Sequence, residues 1–242
     1  MRISLPITRP VPSALRQSAA AVMVLLVTLS ASRAGTVPES EGILREWIRM
    51  QSGIRTLHAE IIQTRRLPTI RIPLKKSGQV WFGTKSRFRW QIGDPPEMLA
   101  IKTVDALFLI EPRKSRARIL SGDAAPGAPL RLSEIAFPFA SSFEEFQRRF
   151  EILSFQAEDD SVEVVLRPID PRMSAGVRSL RIVFQRGSGN VDLFEITLTD
   201  NSQIATEFTS VEINPHLQDT LFSHDLTGYR IDDRSGAATP AQ

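Results

Sequence analysis

The 242-residue chain contains no cysteine. That excludes disulfides, thiolate metal sites and a cysteine nucleophile. It also removes the cysteine through which an exported protein would carry its own lipid anchor. Histidine is scarce, with only His58, His216 and His224. Neither His58-Ala59-Glu60 nor His224-Asp225 is accompanied by a metal-ligand run or a nucleophile elbow, so both read as structural or surface positions. The acidic pairs Glu144-Glu145, Asp159-Asp160 and Asp232-Asp233 are adjacent and face different ways, unlike an acid/base pair held across a cleft. No glycine-rich phosphate loop is present, since Gly187-Ser188-Gly189 sits in a hairpin turn. No catalytic residue, metal or cofactor is therefore assigned, and the chain is not expected to be an enzyme. There is no βαβ rhythm and no repeat period, and no run reaches the roughly 20 apolar residues of a membrane span.

The first 34 residues have the layout of a secretory signal. Arg2, Arg9 and Arg16 precede an apolar run near Ala19 to Leu29, and Ser32 and Ala34 supply the small residues of a cleavage site. An uncleaved N-terminal anchor is the alternative. Residues 1–34 hold four arginines and no carboxylate, so the net charge of +3 falls to −1 for the remainder, with 26 basic and 27 acidic residues. The high pI thus belongs mostly to the signal, and nucleic-acid binding loses its support. The expected division is a signal at 1–34, one domain at 35–234 and a disordered tail at 235–242. In a double-membraned bacterium the address would be the periplasm.

The centre of the chain is Gly78-Gln79-Val80-Trp81-Phe82-Gly83, a short polar turn, and Arg87-Phe88-Arg89-Trp90-Gln91-Ile92. This reads as a β-hairpin in which Phe88, Trp90 and Ile92 point one way and Arg87, Arg89 and Gln91 the other. Before it, Ile43, Leu44, Trp47 and Ile48 are spaced for an amphipathic helix with Ser40 as N-cap, followed by a strand from Leu57. After it come apolar strands at Met98–Val104, Ala106–Glu111 and Ser115–Leu120. Residues 121–129 are a flexible breaker. An apolar, proline-interrupted insert then leads to a helix opened by Ser142, with Phe143, Phe146 and Phe150 at helical spacing. Five further strands run to Ile213, with a short closing edge near Leu221-Phe222 and Tyr229–Ile231. The sum is a mainly β (α+β) fold of about eleven antiparallel strands with helical matter at two places.

An ordered series of motifs resembles the LolA family of periplasmic outer-membrane lipoprotein carriers. It comprises the N-terminal helix, Ala59-Glu60-Ile61-Ile62-Gln63, Gly78-Gln79-Val80-Trp81, Phe88-Arg89-Trp90 followed by Pro95, and Leu107-Phe108-Leu109-Ile110-Glu111-Pro112. Asp200-Asn201, the strand through Phe208, Val211 and Asn214, and Phe222 close the series. The resemblance implies an incomplete, strongly curved antiparallel β-barrel with a helical lid over its concave side. It implies a carrier of lipoprotein acyl chains, loaded by an inner-membrane ABC-type release complex and unloaded at an outer-membrane acceptor. Many members have Arg-Pro or Lys-Pro in the hairpin turn, where the basic residue pins the lid; this chain has Thr84-Lys85.

Strand alternation then selects Val80, Phe82, Phe88, Trp90, Ile92, Leu107, Leu109, Ile182 and Phe184 as the acyl-chain cavity. Leu44, Trp47, Leu132, Ile135 and Phe139 are the corresponding lid. A monomer that binds no nucleic acid is expected. Carriage of a different lipid, and an envelope protein-binding or sensing module with the same fold, remain the alternatives.

Overall fold

The computed structural model describes residues 33–34, 37–121 and 142–233, and Ser32–Gln242 forms one compact unit. The elements run β1 (Arg33–Ala34), α1 (Val37–Ser52), β2 (Leu57–Arg66), β3 (Leu74–Gly83), β4 (Arg87–Ile92), β5 (Met98–Lys102), β6 (Ala106–Glu111) and β7 (Arg116–Ser121). They continue with α2 (Phe143–Arg149), β8 (Phe150–Ala157), β9 (Ser161–Pro168), α3 (Pro171–Ser174), β10 (Val177–Gln185), β11 (Val191–Leu198), β12 (Gln203–Ile213) and β13 (Arg230–Asp233). All thirteen strands join one sheet in the order β1-β8-β9-β10-β11-β12-β2-β3-β4-β5-β6-β7-β13. The two outer strands do not pair with each other, so the sheet is open and curled.

Every pairing is antiparallel except that of β13, which lies parallel to β7. The two strands beyond the expected eleven are β1, only two residues long, and this parallel β13, which returns to the sheet after an irregular connection. β1 is too short to be read from sequence, whereas β13 falls at the short closing edge expected near Tyr229–Ile231. The expected N-cap at Ser40 is also displaced, because α1 begins at Val37. Pro38 sits in the first turn, where its missing N–H has no helical acceptor to lose. Ser142, by contrast, caps α2 as expected, its side chain accepting from the Glu145 N–H at 3.2 Å.

The β3–β4 turn closes through Lys85 (φ 60°) and Ser86 (φ 56°), two consecutive left-handed residues whose twist matches that of the strands they join. Gly78 at the other end of the hairpin is required for space. A Cβ there would lie 2.2 Å from the Gln91 carbonyl oxygen.

The outer side of β4–β7 is closed by the chain after β12. Leu226 and Tyr229 pack on Leu99, Ile101, Ile110 and Ala117. Phe222 fills the space beside Gly83 and lies beneath the Arg87 guanidinium at 4.7 Å, while Arg87 also pairs with Asp219 at 2.8 Å. His224 Nε2 meets the Tyr229 hydroxyl at 3.2 Å within this strap. Burial and the nearby Arg89 charge lower the His224 pKa below its ordinary 6.5, with Asp225 opposing.

Two outcomes follow for stability. Gly78→Ala should lower it by roughly 1–3 kcal/mol, read as a reduced midpoint of urea unfolding. For His224, a folded-state pKa below the unfolded one means that the unfolded chain binds the proton more readily. Its contribution is fully present above pH 6.5 and is lost as the pH falls through the depressed folded value. Protection factors of amides in the 219–233 strap, corrected for intrinsic exchange, should therefore fall on acidification, and His224→Gln should remove that pH dependence.

Candidate functional site

One face of the sheet can be followed strand by strand through its register. Val164 lies opposite Ile182, Ile182 opposite Phe194, and Phe194 opposite Thr206. Two residues on, Phe208 lies opposite Ile61, Ile61 opposite Gly78, and Gly78 opposite Ile92. Side chains on one strand alternate with period two, so Ile182, Phe208, Ile61, Val80, Trp90 and Ile92 all project from the same side. From Trp90 the row continues through Ala100, Leu109 and Arg118; beside it runs Phe82, Phe88, Lys102, Leu107 and Leu120.

Along this face the side chains form two clusters. Val80, Phe82, Phe88, Trp90, Ile92, Leu107 and Leu109, seven of the nine cavity residues expected from sequence, meet in the cluster built on β2–β7. Ile182 and Phe184 belong to the other, on β8–β11. Phe208 packs against both.

The β8–β11 half is roofed. Ile43, Leu44, Trp47 and Ile48 of α1 and Phe143 and Phe146 of α2 pack on it. Leu44 (0% exposed) and Trp47 (1%) are thus fully buried, and Trp47 stacks on Phe184 with ring centroids 4.6 Å apart. The helix is pinned at its C-terminal end, where the Gly189 carbonyl accepts from Trp47 Nε1 at 3.0 Å and from Gln51 Nε2 at 2.7 Å. Just beyond it, Asn214 Oδ1 accepts from the Arg55 and Thr56 N–H groups at 2.7 and 3.3 Å. Arg45 ties α1 to α2, donating to Glu144 at 2.7 Å and lying 4.2 Å over the Phe143 ring. That bond holds the Glu144 carboxyl below its usual range. Leu132, Ile135 and Phe139, the rest of the expected lid, lie outside the described residues.

The β2–β7 half is different. Its cluster is made of strand side chains with Ile54, and among the described residues no helical side chain belongs to it. Trp90 is 8% exposed, and its buried Nε1–H has no hydrogen-bond partner among the described residues. At the far margin the face turns cationic: Lys102 stands between Phe88 and Leu107, and the buried Nε of Arg118 has no partner. Lys85, at the place of the family's pinning residue, is an exposed turn residue with positive φ.

Where the halves meet, a cleft encloses about 310 Å³ of empty space out to solvent. Ile54, Leu57, Phe82, Phe208 and Val211 line it, with Gln51 and Asn190 at its polar side. Its innermost part has room for about one water. None of Gln51, Ile54, Leu57, Phe208 and Val211 was among the residues selected from sequence. The alternation of β2 already pointed to Leu57. Val211 was hidden by a register shift between Phe208 and Ser210, which brings Val211 opposite Ala59 on the inner face. Among the described residues no group of three or more His, Cys, Asp or Glu is placed to hold a metal, and no helix is long and apolar enough to cross a membrane.

The two inner tryptophans should respond differently to Phe. Trp47→Phe loses a buried hydrogen bond to Gly189, a net cost of about 0.5–1.5 kcal/mol. Trp90→Phe deletes an unsatisfied N–H whose burial costs roughly 1–3 kcal/mol, offsetting the lost volume and leaving stability near wild type. Chemical denaturation of the two variants reads the contrast.

A family model described as outer membrane lipoprotein carrier protein LolA matches residues 52–225. None of the curated proteins matches the chain. Among solved structures, an uncharacterised conserved protein from Thermus thermophilus is similar at 7% identity and a TM-score of 0.49, over 81% of this chain and 99% of that one. A LolA superfamily protein from Nitrosomonas europaea is similar at 11% identity and a TM-score of 0.40, over 74% and 96%. In the MucA/MucB complex of Pseudomonas aeruginosa the values are 9% and 0.44, over 77% of this chain and 61% of that one. With the family match spanning well over half of its length, this chain belongs to the LolA family.

Proposed function

We propose that this protein is a carrier that takes up the acyl chains of lipidated proteins on its β2–β7 face and moves them through the periplasm. The observation that supports this most directly is one continuous, buried apolar face whose two halves are built differently among the described residues. The β8–β11 half is closed by α1 and α2, while the β2–β7 half, with Phe82, Phe88 and Trp90, is built from strand side chains and Ile54 among the described residues.

Each acyl methylene left in water costs ~0.8 kcal/mol, so a sixteen-carbon chain costs about 12 kcal/mol. An enclosed apolar face offsets such a cost; scattered surface contacts do not. The cleft lined by Phe82 and Phe208 is the natural entrance, and a tail enters by parting its walls, since the innermost space is so small. With α1 pinned to Gly189, the parting falls to the β2–β7 side. Lys102 and Arg118 at the margin suit the polar end of an amphiphile, with the tail directed toward Phe208. In this reading the donor is an inner-membrane ABC-type release complex, the recipient is an outer-membrane acceptor, and residues 1–34 direct export.

The test is partition of a palmitoyl probe into purified protein, followed by Trp emission. Saturable uptake with a spectral change that Trp90→Phe abolishes is expected, together with uptake weakened by Phe82→Ser. A probe that stays wholly in the aqueous phase at saturating protein sinks the reading. Equal capture of lipidated and delipidated partner proteins would make the fold a protein-binding module instead.

A further inference from the structure

The β2–β3 connection carries an apolar tip inside a basic collar. Its sequence, Arg65-Arg66-Leu67-Pro68-Thr69-Ile70-Arg71-Ile72-Pro73-Leu74-Lys75-Lys76, has five cations and no carboxylate. Ile72 is 77% exposed, with Ile70 and Leu74 at 45% and 46%. The other exposed large apolar residues, such as Val104, Leu153 and Ile169, lie singly along the chain. Among the described residues, only here are three gathered within five positions.

The tip is uncovered on its β4 side, while on the other side β12 keeps pace with β2 as far as Gln203 opposite Arg66. β2 and β3 stay paired as far as Arg65 and Leu74, whereas β4 leaves β3 at Gly78, where it pairs with Ile92. The finger therefore runs about four residues, on the order of 14 Å, past its neighbour on that side. Pro68 and Pro73 restrict the turn, and the Ile70 N–H donates to the Leu67 carbonyl at 3.0 Å. Arg66 has Glu195 at 3.8 Å and Lys76 pairs with Glu97, which leaves exposed Arg65, Arg71 and Lys75 to set the charge of the tip.

We propose that this finger is a membrane-docking element, inserting Ile70 and Ile72 into the interface of an anionic bilayer while Arg65, Arg71 and Lys75 engage its headgroups. The pattern is that of interfacial binding, in which shallow apolar burial and attraction to anionic lipid act together. An acidic protein surface would satisfy the cations but would leave Ile72 without a greasy partner. The inference is independent of the acyl-chain reading.

The test is co-sedimentation of the compact unit, residues 32–242, with vesicles of phosphatidylcholine alone or mixed with phosphatidylglycerol. Binding is expected to the mixed vesicles only, and to weaken with salt. Ile70→Ser with Ile72→Ser should reduce it about tenfold, and Arg71→Gln with Lys75→Gln roughly thirtyfold. All four positions are exposed, so unchanged melting and unchanged palmitoyl-probe uptake should accompany both losses. Absence of binding to mixed vesicles overturns the proposal. So does binding that the serine variant leaves intact, or capture of an acidic peptide by a finger that ignores vesicles. A protein that sediments with vesicles but takes up no probe retains this inference and loses the carrier reading.

Discussion

The pairing of Phe208 with Ile61 is the contact on which the rest of the architecture depends. It joins the β8–β12 strands to the β2–β7 strands in a register that puts Phe194 and Ile182 on the same side as Val80 and Trp90. A slip of one residue would turn one half inside out, leaving Trp90 and Phe184 on opposite surfaces. Because the register holds, β2 to β12 present one wide apolar face. Among the described residues, α1 and α2 pack only on the β8–β11 half of it.

The helices in turn fix what the sheet can do. α1 rests on Phe184 through Trp47 and is tied at its C-terminal end to Gly189 and, just beyond it, to Asn214. Gly189 has φ +73°, and a Cβ there would lie 2.9 Å from Met50 Sδ, so the turn fits closely beneath the helix. Such a roof is part of the core. Its rigidity makes the Phe82–Phe208 cleft a seam between a fixed half and a half held by strand pairing.

Much of this was legible in the chain, because regular alternation is a local signal. Phe88, Trp90 and Ile92 announced the inner face, and the register then gathered Val80, Phe82, Leu107 and Leu109 around them. What stayed hidden depended on irregular or long-range geometry. The bulge beyond Phe208 reversed the parity that would have placed Val211 outside. Phe222, Leu226 and Tyr229 reach the outer face through turns without periodicity. Trp47 and Leu44 read equally well as lid or core from helical spacing. Only the Gly189 carbonyl, more than a hundred residues away, shows them to be anchored.

The polar atoms left without partners carry the reasoning one step further. Among the described residues five buried side-chain atoms are unbonded: Trp90 Nε1 and Arg118 Nε on the inner face, Gln51 Oε1 at the cleft, and His58 Nε2 and Arg181 Nε on strand positions of the other face. Each such group costs roughly 1–3 kcal/mol, a sizeable fraction of the 5–15 kcal/mol by which a domain is stable. A face whose only task was to be a core would place Phe and Leu at these positions, as the β8–β11 half does beneath α1. In the carrier proposed above, the donor beside Phe88 and the cation beside Leu109 would meet the polar end of the guest. Among the described residues, then, α1 and α2 pack on the β8–β11 half, while strand side chains and Ile54 make up the other.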